Sequence, residues 1–264
     1  MTQGFHLVVD NVDKRFNTKQ GEFIAIRDIN LRVQRGEFVA LIGHSGCGKS
    51  TLLNLIAGLS TASNGVLVCA GREIAGPGPD RGVVFQNHSL LPWLTCFDNV
   101  YLAVERVFSA SETKAQLRAR TEAALKMVGL AHAMHKHPNE ISGGMKQRFG
   151  IAQALLGTPR LLIVDEPTAG LDPAERRRFQ NLLAEIGEQV VVILSTHIVS
   201  DVEASATSLA VMAAGALRFH GRLAYHDFEG PAVDEEERGR LVADLGINDA
   251  MILRNHGLLV GGRS

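Results

Sequence analysis

The chain has almost no net charge: 27 Lys and Arg stand against 28 Asp and Glu, leaving −1 and a pI near 6.8. The strongly basic balance of a nucleic-acid-binding protein is therefore missing. Long hydrophobic runs are missing too. Hydrophobic residues make up 45% of the sequence, yet no run approaches the roughly 20 apolar residues that a membrane helix needs. The apolar content belongs to a globular core. Cysteine is scarce: Cys47, Cys69 and Cys96 stand at unrelated spacings, which argues against a disulfide framework and suits a reducing cytoplasm. The opening Met-Thr-Gln-Gly-Phe-His has no basic stretch followed by an apolar one, so no secretory signal is expected. With 264 residues the chain can form one large domain or two small ones, with ample core.

What is present centres on residues 38–52. An apolar run of strand length, Phe38-Val-Ala-Leu-Ile, ends at Gly43, and Gly43–Ser50 fits G-x-x-x-x-G-K-[ST]. A helical pattern follows to Gly58. Strand, glycine-rich loop and helix in that order are the context a phosphate loop requires. Gly43, Gly46 and Gly48 are expected to reach positive φ and turn backbone N–H groups inward. Those donors and the helix dipole then form an anion cradle. Lys49 would reach the β- and γ-phosphates and the Ser50 hydroxyl would bind Mg²⁺. A plain glycine turn explains the loop alone, but not its flanks. Cys47 reads either as a reactive thiol or as a small residue in a tight turn.

Other segments read in chain order. Residues 5–9 and 22–33 look like strands, and Phe16 sits in a polar loop between them, either stacking on a flat base or anchoring the core. Strands follow at 65–71 and 82–85, the latter running into Gln86. Helices are expected at 98–107 and 111–128, with Ser111 a weak cap and Gly129 a stop. Ser142-Gly143-Gly144-Met-Lys-Gln-Arg opens another helix, running to Leu156, with Ser142 at its N-cap and a second anion site. Leu161–Val164 is a buried strand delivering Asp165 and Glu166 at its C-terminal end, where open α/β sheets bind ligands. Beside a phosphate loop, Asp165 reads as an Mg²⁺ partner. Asp172 and Pro173 suit N-cap and N1 of the next helix, and Glu175–Arg178 reads as its solvated face. Val190–Leu194 is a strand tipped by Ser195-Thr196-His197, and His197 reads as a γ-phosphate contact over a structural histidine. Residues 208–219 read as a last strand pair around Gly215. In the tail, Asp234-Glu-Glu-Glu-Arg reads as the opening of an amphipathic helix, Ala250–Leu253 as a strand, and the final Gly-Gly-Arg-Ser is expected to fray.

Residues 5–222 resemble the nucleotide-binding ATPase subunits of ABC transporters. Gly43–Ser50 is similar to Walker A, with His44, Ser45, Cys47 and Thr51 in or beside the loop. Gln86 matches the Q-loop, Ser142–Gln147 the signature motif, with Ile141 where leucine is usual, and Leu161–Glu166 Walker B. Asp172 matches the D-loop, His197 the H-loop and Phe16 the adenine-stacking position. Residues 1–140 resemble importer ATPases of the nitrate, sulfonate and taurine type, and residues 142–222 exporter or antibiotic-resistance ATPases. Tyr225–Pro231 and Ala250–Leu259 resemble a segment of the class II aldolase/adducin family, where the histidine matching His256 is a zinc ligand. The rest of that site is missing, so His256 is read as non-catalytic and the chain as a composite.

The resemblance implies an α/β fold: a P-loop NTPase (RecA-like) core, an N-terminal antiparallel β-subdomain and an inserted helical subdomain at about 87–157. The cassette would span 1–222, with an extension at 223–264. It implies an ATP hydrolase with Glu166 as general base, His197 on the γ-phosphate, and Gln86, Ser50 and Asp165 around Mg²⁺. Phe16, Gly43–Thr51, Asp165 and Asp172 would hold ATP. A second ATPase subunit would close head-to-tail, bringing Ser142, Gly143 and Gly144 over the partner's ATP. A permease, docked near Leu90–Leu94, and on the importer reading a substrate-binding protein would complete the system at the cytoplasmic face of the inner membrane. Competing readings are an exporter ATPase, a soluble ABC ATPase without transport, and a zinc-dependent aldolase resting on the tail alone.

Overall fold

The computed structural model describes residues 4–19, 21–87, 90–203, 205–227, 240–241, 243–254 and 257–260. Its centre is an eight-stranded sheet. Five parallel strands form the heart: β3 (Phe38–Ile42), β6 (Arg81–Val84), β7 (Leu161–Asp165), β8 (Val191–Thr196) and β9 (Ser208–Ala213). β10 (Ala216–Asp227) returns antiparallel to β9. β11 (Ala250–Arg254) runs parallel to β10, and β12 (Gly257–Val260) closes antiparallel. The order is β12-β11-β10-β9-β3-β8-β7-β6. A second, antiparallel sheet has the order β2-β1-β4-β5, from β1 (Phe5–Thr18), β2 (Gly21–Gln34), β4 (Asn64–Cys69) and β5 (Arg72–Glu73).

The central strands are apolar on both faces because both faces are covered. Successive side chains alternate between two cores. Val39, Leu41, Leu161, Ile163, Val191 and Ile193 pack with the antiparallel sheet and with Leu52 and Ile56 of α1 (Lys49–Ala57). Phe38, Ala40, Leu162, Val164, Val192 and Leu194 point the other way. There they meet a helical layer of α2 (Cys96–Phe108), α3 (Lys114–Met127), α4 (Gly143–Ala154) and α5 (Pro173–Gly187). Phe149 and Phe179 are fully buried in that layer. A short α6 (Val199–Val202) follows β8.

Several expectations need correction. β1 does not stop at Val9: it continues to Thr18, so Phe16 lies in a strand, paired with Phe23 of β2. The polar alternation Asp13-Lys-Arg-Phe-Asn hid an exposed hairpin. α3 is capped by Thr113, not Ser111, because Gln116 three residues on closes a capping box: Thr113 N donates to Gln116 Oε1 at 2.8 Å. Ser111 sits instead in the turn after α2, its N–H on Phe108 O. α4 ends at Ala154, two residues early. Residues 208–219 do form a strand pair, but β10 runs on to Asp227, and β11, at the strand expected over Ala250–Leu253, extends the same sheet. The expected helix opening at Asp234, His256 and the final Gly-Gly-Arg-Ser lie outside the described residues.

Candidate functional site

The register of the parallel strands brings their C-terminal ends together. Ile42 pairs with Thr196, and Asp165 with Ser195. The phosphate loop, the two carboxylates and the histidine therefore leave one edge of the sheet side by side.

The loop from Gly43 to Gly48 leads into α1. Gly48 adopts φ 106°, and a Cβ there would lie 2.6 Å from Ile26 Cγ2, so only glycine fits. Gly46 also has positive φ. Gly43 does not, contrary to expectation; its requirement is space, because a Cβ would come within 2.4 Å of Met212 O. Cys47 is buried, its N–H on His44 O and its carbonyl accepting from Gly215 N at 3.1 Å. That bond ties the loop to the β9–β10 turn and fits the tight-turn reading of Cys47. His44, Ser45 and Ser50 are exposed and Thr51 is half-buried.

Lys49 is 5% exposed, and its Nζ donates to Gly43 O at 2.7 Å and His44 O at 3.2 Å. It also lies 3.5 Å from Glu166 Oε1. The other carboxylate oxygen, Oε2, is 2.5 Å from His197 Nδ1. Glu166 thus bridges the loop lysine and the histidine. Its backbone sits at φ 46°, sparsely populated for a non-glycine residue, and its N–H donates to Ser195 O at 2.9 Å. Among the described residues, Asp165 Oδ1 is buried without a hydrogen-bond partner.

Sequence reasoning missed Asp201. Its side chain is fully buried, accepting from Thr168 Oγ1, from Thr196 Oγ1 at 2.9 Å and from Gln180 Nε2 at 3.0 Å, with Arg176 Nε 3.7 Å away. Thr168 follows Glu166 closely and Thr196 precedes His197, so one carboxylate fastens both strand ends. An acid in the apolar neighbourhood of Val199 and Val202 was the sole signal.

Ser142 caps α4 as expected, accepting from Met145 N at 3.2 Å. Asp172 caps α5 through Ala174 N and Glu175 N, and those backbone donors, Glu175 first, with the nearby Arg178 charge, hold its carboxyl below the usual range. Glu175 is not merely solvated: it pairs with Arg148 of α4 at 3.3 Å as well as with Arg178, locking the two helices together. Among the described residues, no hydrogen bond or ion pair joins Ser142, Gly143 or Gly144 to the phosphate loop or Glu166. Gln86 is exposed just past β6. Phe16 is 42% exposed, which removes the core-anchor reading, and Lys14 Nζ lies 5.0 Å from its ring centre.

Residues 26–169 match the family model described as ABC transporter. The chain belongs to the ABC transporter family. It is an ATP-binding, ATP-hydrolysing cassette. It is 52% identical over 195 residues to the nitrate transport protein NasD of Klebsiella oxytoca, covering 73% of this chain and 74% of that one. It is 42% identical over 240 residues to the bicarbonate transport ATP-binding protein CmpD of Synechocystis sp., covering 90% and 83%. The fold is similar to the dimeric, ADP- and Pi-bound post-hydrolysis structure of the cassette MJ0796. The TM-score is 0.75 at 28% identity, over 82% of this chain and 98% of that one. No helix among the described residues is long and apolar enough to cross a membrane.

Proposed function

We propose that this cassette powers import of a small inorganic anion of the nitrate or bicarbonate kind, working with a permease at the cytoplasmic face of the inner membrane. The observation that carries the catalytic half is the Lys49–Glu166–His197 arrangement at the strand ends. The anion half is supported by the NasD and CmpD similarities. The alignment with CmpD is longer than the 222 residues of the cassette, so it supports importer character beyond residues 1–140.

Backbone N–H groups of Gly43–Ser50 and the α1 N-terminus cradle the phosphates. Lys49 exchanges its carbonyl partners for phosphate oxygens. Phe16 offers its ring to the adenine. Glu166 accepts the proton of the attacking water, while His197, oriented by its Nδ1 contact, presents Nε2 to the γ-phosphate. Ser50 and Gln86 at the surface, and the unpartnered Oδ1 of Asp165, are oxygen donors of the type Mg²⁺ prefers. Held by those oxygens, the ion would neutralise phosphate charge. Among the described residues, no hydrogen bond or ion pair joins Ser142, Gly143 or Gly144 to their own chain's phosphate loop, which supports a head-to-tail dimer in which they, with Asp172, serve the partner's ATP. A substrate-binding protein would deliver the anion.

Residues 223–264 are read as structural. β10 carries the cassette sheet across residue 222 without a break. An origin of this segment in the class II aldolase/adducin family, and with it a composite chain, rests on the sequence pattern alone. Stoichiometric zinc with aldehyde release would be the mark of an aldolase, and neither is expected.

The deciding experiment is Mg²⁺-dependent ATP turnover of wild type beside Glu166→Gln, with ATP binding measured on both. Binding preserved and turnover lost in the variant is the expected result. Unchanged turnover would remove Glu166 from its assigned role. Nitrate- or bicarbonate-stimulated turnover with the permease in vesicles tests the anion half.

A further inference from the structure

One cavity lies away from the phosphate loop. It lies at the opposite end of β3, beside Glu37 and the first residue of β9, Ser208, with a volume of about 640 Å³. That size suits a small-molecule ligand. Five strand residues, roughly 17 Å at about 3.3 Å each, separate it from Gly43. Three elements enclose it: the end of β2, the middle of β10, and the turn at Asn248 and Asp249 before β11.

Three arginines line this space, Arg32, Arg35 and Arg222, and among the described residues none has a carboxylate within ion-pair distance. Arg32 instead lies over the Phe5 ring, 5.8 Å from its centre. The two acids that share the lining are already engaged. Glu37 accepts from Gln34 N at 2.6 Å and from the Ser208 hydroxyl, and Asp249 accepts from Arg222 N at 3.0 Å. His220 stands beside them, its Nε2 buried without a hydrogen bond among the described residues and 4.0 Å from Glu37 Oε1. Unpaired guanidiniums beside neutral donors form a surface that receives oxyanions in a planar, two-pronged way.

We propose that this cavity is a second ligand site, separate from the phosphate loop, which takes the oxyanion group of a small molecule, a phosphate or a carboxylate, between Arg35 and Arg222. Asn248 supplies a neutral hydrogen bond, and Phe5 and Leu223 offer apolar walls to the ligand's body.

Isothermal titration of the full chain with inorganic phosphate and, separately, citrate tests the proposal, without nucleotide or Mg²⁺. Three proteins are compared: wild type, Lys49→Gln to weaken the phosphate loop, and Arg35→Gln/Arg222→Gln. Binding that survives in Lys49→Gln and weakens at least tenfold in the arginine variant is expected, with ATP affinity in that variant unchanged. Should the double variant also lose ATP, the two single variants carry the test, each expected to weaken the anion at least threefold while binding ATP normally. Tighter citrate assigns a carboxylate ligand and tighter phosphate a phosphate-bearing one. The proposal fails if Lys49→Gln abolishes all anion binding, if the arginine variants bind as wild type, or if neither anion binds at millimolar concentration. None of these outcomes depends on Glu166, so the ATPase reading stands or falls separately.

Discussion

Glu166 Oε2 and His197 Nδ1 meet at 2.5 Å, across the ends of two strands whose register is fixed by Asp165 facing Ser195. The histidine ring is thereby aimed before any substrate arrives. His197→Ala should lower the turnover number by about a hundredfold or more, as loss of one preorganised transition-state contact does. ATP affinity should change little. Steady-state kinetics beside equilibrium nucleotide binding separate the two, and a change in affinity alone would contradict the arrangement.

Asp201 offers a different readout. Removing its carboxylate strands the Thr168 and Thr196 hydroxyls in a buried site, at a cost of about 1–3 kcal/mol for an unsatisfied group. Asp201→Ala should therefore lower the denaturation midpoint and, by loosening the segment ahead of His197, reduce turnover more than ATP affinity. Asp201→Asn keeps the shape and should retain more of both. Urea titration and kinetics on the same preparations test this; an Asn variant as damaged as the Ala one would mean that charge, not shape, holds the network.

Gly48→Ala combines a φ of 106° with a Cβ 2.6 Å from Ile26 Cγ2. Strain at such a position is worth on the order of 1–3 kcal/mol, and relief requires the loop to move. ATP binding should fall below detection while the circular dichroism spectrum stays native. Calorimetric titration with ATP checks it.

Stability should fall on the acid side of neutrality. Burial pulls His6 and His220 below the ordinary histidine value of 6.5; at His6 a backbone hydrogen bond at Arg160 opposes this while the Arg35 and Arg160 charges reinforce it, and at His220 Glu37 and Asp249 oppose it. The unfolded chain then binds protons that the folded chain refuses, so stability rises with pH. The contribution is present above about 6.5 and is lost as pH falls through that value toward the folded ones. Melting temperatures between pH 8 and 5.5 should drop, and less steeply in His220→Asn. An equal slope in the variant would remove His220 as a source.

Much of this site was legible because its parts are local. Gly48, Lys49 and Ser50 are consecutive, and the apolar runs before Gly43, Asp165 and Ser195 mark strands that a buried parallel sheet demands. Asp172 followed by Pro173 announces a helix start. What stayed hidden depends on distant partners. Phe16 becomes a strand residue only by pairing with Phe23. The space at Gly43 is set by Met212, nearly 170 positions later. Asp201 matters because two threonines from other segments turn toward it. The cap at Thr113 is legible too, since Gln116 three residues on completes a capping box, a pattern Ser111 lacks.

The pairing of β10 with β11 bears on how the protein could be shortened. A chain cut after residue 222 would end partway along β10 and lose both strands beyond it. Leu223 to Asp227, the half of β10 that pairs with Ala250 to Arg254, would go with the cut. The half that stays, Ala216 to Arg222, would keep its ladder to β9. What is lost is cover rather than pairing, because Leu223, Ala250 and Ile252 pack in the same core as Phe38, Leu194 and Leu209. Such a fragment would keep every residue assigned to the nucleotide and show part of that core to water. Whatever their ancestry, the residues beyond 222 would then be a wall of the engine's own interior.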